Sequence, residues 1–256
     1  PMRIIFCSGL LAALLFPGIS SARWEGITSA SAEKATCRTV SQSGDETVLF
    51  FRVEGFDVKA DESGAGQLIT SPGCATTLDA GAPELPVFSA SVIVPEGGDM
   101  NVEVISSSFR DYPGMEIAPS RGNLYRNQDP SSIARWYGPA YSADEWYPAS
   151  LVGLREPYRL RDFTGQTVVV HPFRYDPVRK TLRVYYAMTV RIRPSVIETQ
   201  RSNRTSLLSV DQTYASIYAS HFVNYNALNY SPLPDRGSML IITDSAFRAV
   251  LEPMES

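Results

Sequence analysis

The sequence predicts a mostly β chain: an antiparallel β-sandwich followed by the first strand and helix of an α/β domain of which only the start is present. Three observations predict it. Short β-rich runs recur between Gly and Pro turn signals from residue 48 to residue 196. One of them, 182–192 (LRVYYAMTVRI), places Leu182, Val184, Tyr186, Met188, Val190 and Ile192 on one face. Arg183, Thr189, Arg191 and Arg193 fall on the other, the period of two of a strand with one buried and one wet side. The composition, with 18 Pro and 13 Tyr and few long helical patterns, tilts the same way.

In order, residues 1–22 read as an export signal. Arg3 supplies a positive start, 4–16 form an apolar core, and Ser20-Ser21-Ala22 fits a cleavage site of small residues. The apolar run is too short for a bilayer, which takes roughly 20 residues, so no stable membrane span is expected. Residues 23–47 are polar and weakly patterned and read as a loose lead-in. The β domain covers 48–196, with runs at 48–53 (VLFFRV), 85–94 (LPVFSASVIV), 102–105 (VEVI), 115–118 (MEIA), 167–173 (TVVVHPF) and 182–192. Residues 173–182 (FRYDPVRKTL) predict a hairpin around Asp176-Pro177. Between 119 and 160 the chain is irregular and aromatic, with Tyr125, Trp136, Tyr137, Tyr141, Trp146 and Tyr147. A loop of that length in a compact domain carries function or covers something, although packing on the sandwich accounts for most of these rings. Residues 197–229 read as a linker with a short helix within 207–222, where Leu208, Tyr214, Ile217, Tyr218 and His221 share a side. From 230 a turn-rich stretch leads to an apolar strand, 239–242 (MLII), and a helix-like run, 245–251. Thr243, Asp244 or Ser245 is placed to cap that run.

Composition excludes some functions. A net charge of −4 with no long basic run argues against nucleic acid, which is bound by clustered Lys and Arg. Nucleophilic catalysis needs Cys or Ser beside an oriented His. The histidines are His171, next to Pro172 in a β run, and His221, near a helix end; neither pattern suggests a base. Their spacing gives no zinc site, there is no phosphate-cradling glycine loop, and no cofactor is expected. Once the signal is removed, Cys37 and Cys74 remain, an even number that permits one disulfide in an exported chain or two buried thiols.

The order of motifs says more. GAPELPV (81–87), VIVPEG (92–97), IAPS (117–120), RNQDP (126–130), LRDFTGQTV (160–168) and PFRYDPVRKTLRVY (172–185) follow one another behind the signal. This series resembles the propeptide domain of gingipain-type (family C25) cysteine peptidases, and 230–242 resembles the opening of that family's catalytic domain. The resemblance implies a secreted zymogen fragment, itself without catalysis. Its β-sandwich prodomain would cover the active-site cleft of its own or a cognate cysteine peptidase, keep it latent and assist its folding. The resemblance also implies that a prodomain arginine fills the enzyme's specificity pocket, and the matching position is Arg126. Processing is expected near Asn229, yet the junction, NALNY (226–230), has no basic residue before Tyr230. Arg201, Arg204 and Arg236 are the nearest basic alternatives. The competing function is a secreted or surface β-sandwich binding module that uses its aromatic loop.

Overall fold

The structure, a computed structural model, describes residues 22–43, 46–97, 99–195, 209–226, 229–233, 242–244 and 246. The strands are β1 (Arg23–Gly26), β2 (Thr36–Ser43), β3 (Glu46–Arg52), β4 (Gly55–Ala60), β5 (Gln67–Thr70), β6 (Ala75–Thr76), β7 (Pro86–Val94) and β8 (Met100–Pro113). After the long loop come β9 (Val152–Leu154), β10 (Tyr158–Leu160), β11 (Phe163–Val170), β12 (Phe173–Asp176) and β13 (Thr181–Pro194). β14 (Ser209–Asp211), helix α1 (Gln212–His221) and β15 (Ser231–Leu233) complete them.

Two five-stranded antiparallel sheets make the sandwich. One runs β10-β11-β7-β6 with β9 also on β11; the other runs β12-β13-β3-β2 with β8 also on β13. Leu49 and Phe51 of β3, Met188, Val190 and Ile192 of β13, Ala90, Val92 and Val94 of β7, and Val168 and Val170 of β11 form the core between them. A second core lies under the three-stranded sheet β1-β4-β5, where Phe56, Val58 and Ile69 meet Phe173, Tyr175, Leu182 and Val184. Apolar residues on alternate positions turn one side of each strand inward, and burying that side is the main favourable term in folding.

Strand β13 serves both cores. Residues 181–184 pair with β12 and residues 187–192 with β3. The change of partner falls at a bulge between Tyr185 and Ala187. The bulge corrects the simple alternation: Tyr185 is buried in the first core, and Tyr186, expected inside, is only half-buried. An inserted residue breaks the period of two. The hairpin around Asp176 forms, with fully buried Asp176 accepting from the Arg179 N–H at 2.9 Å. Residues 115–118 do not make a strand; they run extended, and Ile117 forms an isolated bridge to Gln67.

The polar stretch 23–47 is not a loose lead-in, because it contains β1, β2 and the start of β3. Strand β2 lies at a sheet edge and pairs only with β3, so most of its residues face water and leave little apolar pattern to read. β8 is the other long edge, 14 residues against the four legible at 102–105.

Helix α1 lies on the outer face of the β7/β11 sheet. Asp211 caps it by accepting from the Thr213 N–H at 2.9 Å, and Arg161 pairs with Asp211 at 2.7 Å. Beneath it Tyr218, Phe222 and Phe163 form a third cluster with Tyr158, Tyr214, Tyr225 and Tyr230 around them. Gly165 of β11 makes room, since a Cβ there would sit 2.6 Å from both Phe222 and Tyr158. Buried Asn224 then ties the chain to both sheets: Oδ1 accepts from the Ile93 N–H at 2.7 Å, and Nδ2 donates to Ile93 O at 3.0 Å and Thr47 Oγ1 at 3.3 Å. Among the described residues no helix is long and apolar enough to cross a membrane. The expected signal except Ala22, the strand 239–242 except Ile242, and the run 245–251 except Ala246 lie outside them. Of the three candidate caps, Asp244 accepts from the Ala246 N–H at 2.8 Å.

Candidate functional site

The loop that leaves β8 is built in two limbs with a tip between them. The incoming limb is held by main-chain bonds on both sides. Glu116 O accepts from the Gln67 N–H at 2.6 Å, Ala118 O from the Glu84 N–H at 3.0 Å, and the Ser120 N–H donates to Ala82 O at 2.7 Å. The returning limb is tied to it by two arginines. Arg121 Nε donates to Ile133 O at 2.7 Å. Arg135, with only 4% of its side chain exposed, reaches Asp61 at 3.0 Å and Glu84 at 2.5 Å and also donates to Pro119 O. Burial pushes the Asp61 carboxyl upward, but the Ser63 hydroxyl and the Arg135 guanidinium outweigh it and hold it below the usual carboxylate range. Next in the limb, Trp136 lies over Gly81, whose left-handed backbone (φ 79°) and missing side chain let the indole approach; a Cβ there would sit 2.6 Å from the ring. A small groove of about 140 Å³ opens beside this base between Leu78, Arg121 and Leu124.

The tip is a closed turn. The Gln128 N–H donates to Tyr125 O at 3.0 Å, and Gln128 Oε1 accepts from the Tyr125 N–H at 2.8 Å. Asp129 accepts from the Ser131 N–H at 2.9 Å and caps the 3-10 turn Pro130–Ser132. The Ser131 hydroxyl, which donates to its other oxygen at 2.7 Å, and the Ser131 N–H hold its carboxyl below the usual range. Arg126 stands in the middle of the turn, exposed, with no hydrogen bond or ion pair to any described residue. Tyr125 beside it is 77% exposed. The tip therefore offers one free guanidinium and one bare aromatic ring on an ordered base.

Most other aromatics of the loop pack on the sandwich. The Tyr141 hydroxyl donates to Ile117 O at 2.7 Å, that of Tyr147 to Asp79 at 2.6 Å, and that of Tyr137 to Ala65 O at 2.9 Å. Burial raises the Tyr141 and Tyr147 phenols well above the ordinary tyrosine range. Trp146 stacks on Arg183. Trp136 remains half-exposed.

The remaining sequence candidates are dispersed. His171 Nδ1 meets Ser150 O at 3.0 Å, and His221 Nε2 meets the Tyr158 hydroxyl at 2.6 Å. Neither bond reaches a cysteine. Cys37 and Cys74, the candidate disulfide, are both free thiols. Cys37 packs against the first core and Cys74 sits in the turn after β5, where its N–H donates to Ser71 O at 3.0 Å. Burial pushes the Cys37 thiol up to about 12 and the Cys74 thiol up to about 11, so neither is a ready nucleophile. Among the described residues no group of three or more His, Cys, Asp or Glu could hold a metal ion. At the junction Asn229 is exposed, but Tyr230 stacks on Tyr225 at 5.4 Å and meets Phe163 edge-on at 5.2 Å. Ser231–Leu233 pairs in parallel with β14 in a two-stranded sheet of its own. Arg201, Arg204 and Arg236 lie outside the described residues. Sequence reading missed Arg121 and Arg135, because the acidic partners of Arg135 lie 74 and 51 positions away.

Known proteins match this architecture. Gingipain R2 of Porphyromonas gingivalis is 34% identical over 84% of this chain and 30% of its own length. Gingipain R1 of the same organism is 36% identical over 77% of this chain and 20% of its own. The chain thus spans less than a third of these relatives. A solved chain from the complex of Porphyromonas gingivalis RgpB pro- and mature domains superposes with a TM-score of 0.64 at 32% identity, over 73% of this chain and 95% of that one. The family Propeptide_C25 matches residues 39–231, a span that holds both sheets of the sandwich apart from the first residues of β2, with the arginine tip and α1. The chain belongs to that family, the propeptides of gingipain-type cysteine peptidase precursors.

Proposed function

We propose that this chain is the prodomain of a secreted gingipain-like cysteine peptidase precursor. It covers the active-site cleft of the peptidase, keeps it latent and assists its folding, and Arg126 enters the specificity pocket. The observation that carries this reading is the contrast among three neighbouring arginines. Arg121 and Arg135 are spent on the base of the loop, whereas Arg126 is presented without a partner on a preformed turn. A guanidinium is a planar fork that pairs bidentately with a carboxylate at a pocket floor. Because the turn is already closed, little conformational freedom is lost when it docks. The relatives' names and the solved complex of pro- and mature domains support a peptidase as the partner. The hydroxyls of Tyr137, Tyr141 and Tyr147 are taken up by the protein itself, so they are not free to bind a sugar.

Processing at Asn229, or after Arg201, Arg204 or Arg236, would release the prodomain. Tyr230 packs on Phe163 and Tyr225, which disfavours cutting at the Asn229–Tyr230 bond without local opening. The test is to titrate mature Gingipain R2 with the chain lacking its first 22 residues. The expected result is reversible inhibition at one-to-one stoichiometry; activity unchanged at micromolar chain would overturn the proposal.

A further inference from the structure

We propose that Arg121 and Arg135 are positioning residues that make the Arg126 loop an inhibitor rather than a substrate. This rests on the reading of Arg126 as the pocket residue. An arginine on an exposed loop is what an arginine-specific peptidase cuts, so a prodomain that presents one must also keep its peptide bond from reacting. The geometry supplies two restraints. The Arg126–Asn127 bond lies at the centre of a turn closed by two bonds between Tyr125 and Gln128, whereas a peptidase takes its substrate extended. Below the tip the two limbs are cross-tied twice, by Arg121 to Ile133 O at 2.7 Å and by Arg135 to Pro119 O. Arg135 further fixes the returning limb to Asp61, just after β4, and to Glu84, just before β7.

Cleavage would require the peptidase's thiolate to attack the Arg126 carbonyl carbon. The Asn127 amine would leave with a proton, and water would then hydrolyse the thioester to the Arg126 carboxylate. Each step needs the turn to open and the new ends to separate. The cross-ties resist both movements: they keep the attacked carbon out of line, and they hold the amine beside the thioester, where it can reform the peptide bond. Truncating either arginine frees one limb and removes that resistance. A base this buried tolerates no simple exchange, since Arg135 leaves two carboxylates behind when it is lost. Arg121 contributes a single bond to a carbonyl, and its loss leaves the Arg135 cluster intact.

The experiment incubates the chain, Arg121→Ala and Arg135→Ala with mature Gingipain R2 and follows the fragments by mass spectrometry. The wild-type chain is expected to stay intact, and each variant to be cut between Arg126 and Asn127 at least ten times faster, its inhibition decaying as the cut proceeds. Arg121→Ala combined with Arg126→Ala is expected to resist that cut. Arg121→Ala is expected to keep its melting temperature, and it carries the test alone if Arg135→Ala does not fold. Cleavage of Arg121→Ala no faster than wild type, or scattered cleavage at other arginines first, would overturn the positioning role. If Arg126→Ala by itself inhibits as well as wild type, it is the reading of Arg126 that fails instead.

Discussion

Two irregular segments are fastened to the same sandwich by opposite means. The loop around Arg126 is held at its base by polar bonds and a buried ion cluster: Arg135 with Asp61 and Glu84, Arg121 with Ile133 O. The segment from α1 to β15 is held by rings, with Tyr218 and Phe222 buried against Phe163 and with Tyr225 and Tyr230 stacked at the rim. Directional bonds fix a loop's shape while covering little of it, so the tip stays open to a partner. Aromatic packing covers surface, so the ring of Tyr230 is half-buried while Asn229 beside it stays exposed. In this chain the Arg126 tip is open, while the ring of Tyr230 packs against the β domain.

The comparison breaks most visibly at Tyr218. It is fully buried, and its hydroxyl donates to Asp162 at 2.7 Å. Tyr218→Ala is expected to cost about 4 kcal/mol in chemical denaturation, through lost packing and a cavity. A cost below about 1 kcal/mol would mean that the helix is not part of the folded unit. Tyr230→Ala should cost less, about 1 kcal/mol, the worth of one aromatic pair. Its clearer effect is on limited proteolysis: the Asn229–Tyr230 bond should become more accessible, with the Arg126 loop unaffected. Equal rates in wild type and variant would show that the ring does not shield the junction.

Acid separates the two segments further. The folded state lowers the Asp61 carboxyl, so its pairing contributes stability above the ordinary aspartate range, about pH 3.9, and loses it as pH falls through the lowered value. Hydrogen-exchange protection at residues 119–136, taken relative to the intrinsic rate at each pH, is expected to fall on acidification below about pH 4, before that of the amides of β7 and β11. Asp61→Asn should remove that pH dependence, and protection falling evenly across the chain would count against the ion cluster as the loop's anchor. The smallest effect belongs to Arg126. Being exposed and unpaired, it should change stability by less than about 0.5 kcal/mol when truncated.

How much of this was legible in the sequence follows from how each segment is held. The runs at 48–53, 85–94 and 182–192 were readable because an apolar face repeats every second residue, and the structure places them in β3, β7 and β13. The hairpin at Asp176-Pro177 showed through its turn chemistry. Strands β1 and β2 were not readable, because an edge strand with a wet surface has little pattern. The exchange of Tyr186 for Tyr185 was hidden because a bulge depends on the neighbouring strands rather than on the residues themselves. At the site, the residues of the tip were legible through the family motif at 126–130. Its base was not, since Arg135 pairs with groups brought close only by the fold, and Arg121 looked like any loop arginine.

The central claim is that the free guanidinium of Arg126 carries recognition of the peptidase. It is tested most directly by the inhibition constant of Arg126→Ala against mature Gingipain R2, measured beside a wild-type chain of equal melting temperature. The account predicts a loss of at least about 2 kcal/mol, roughly 30-fold, as for an anchor in a desolvated pocket. An inhibition constant within a factor of two of wild type would contradict it.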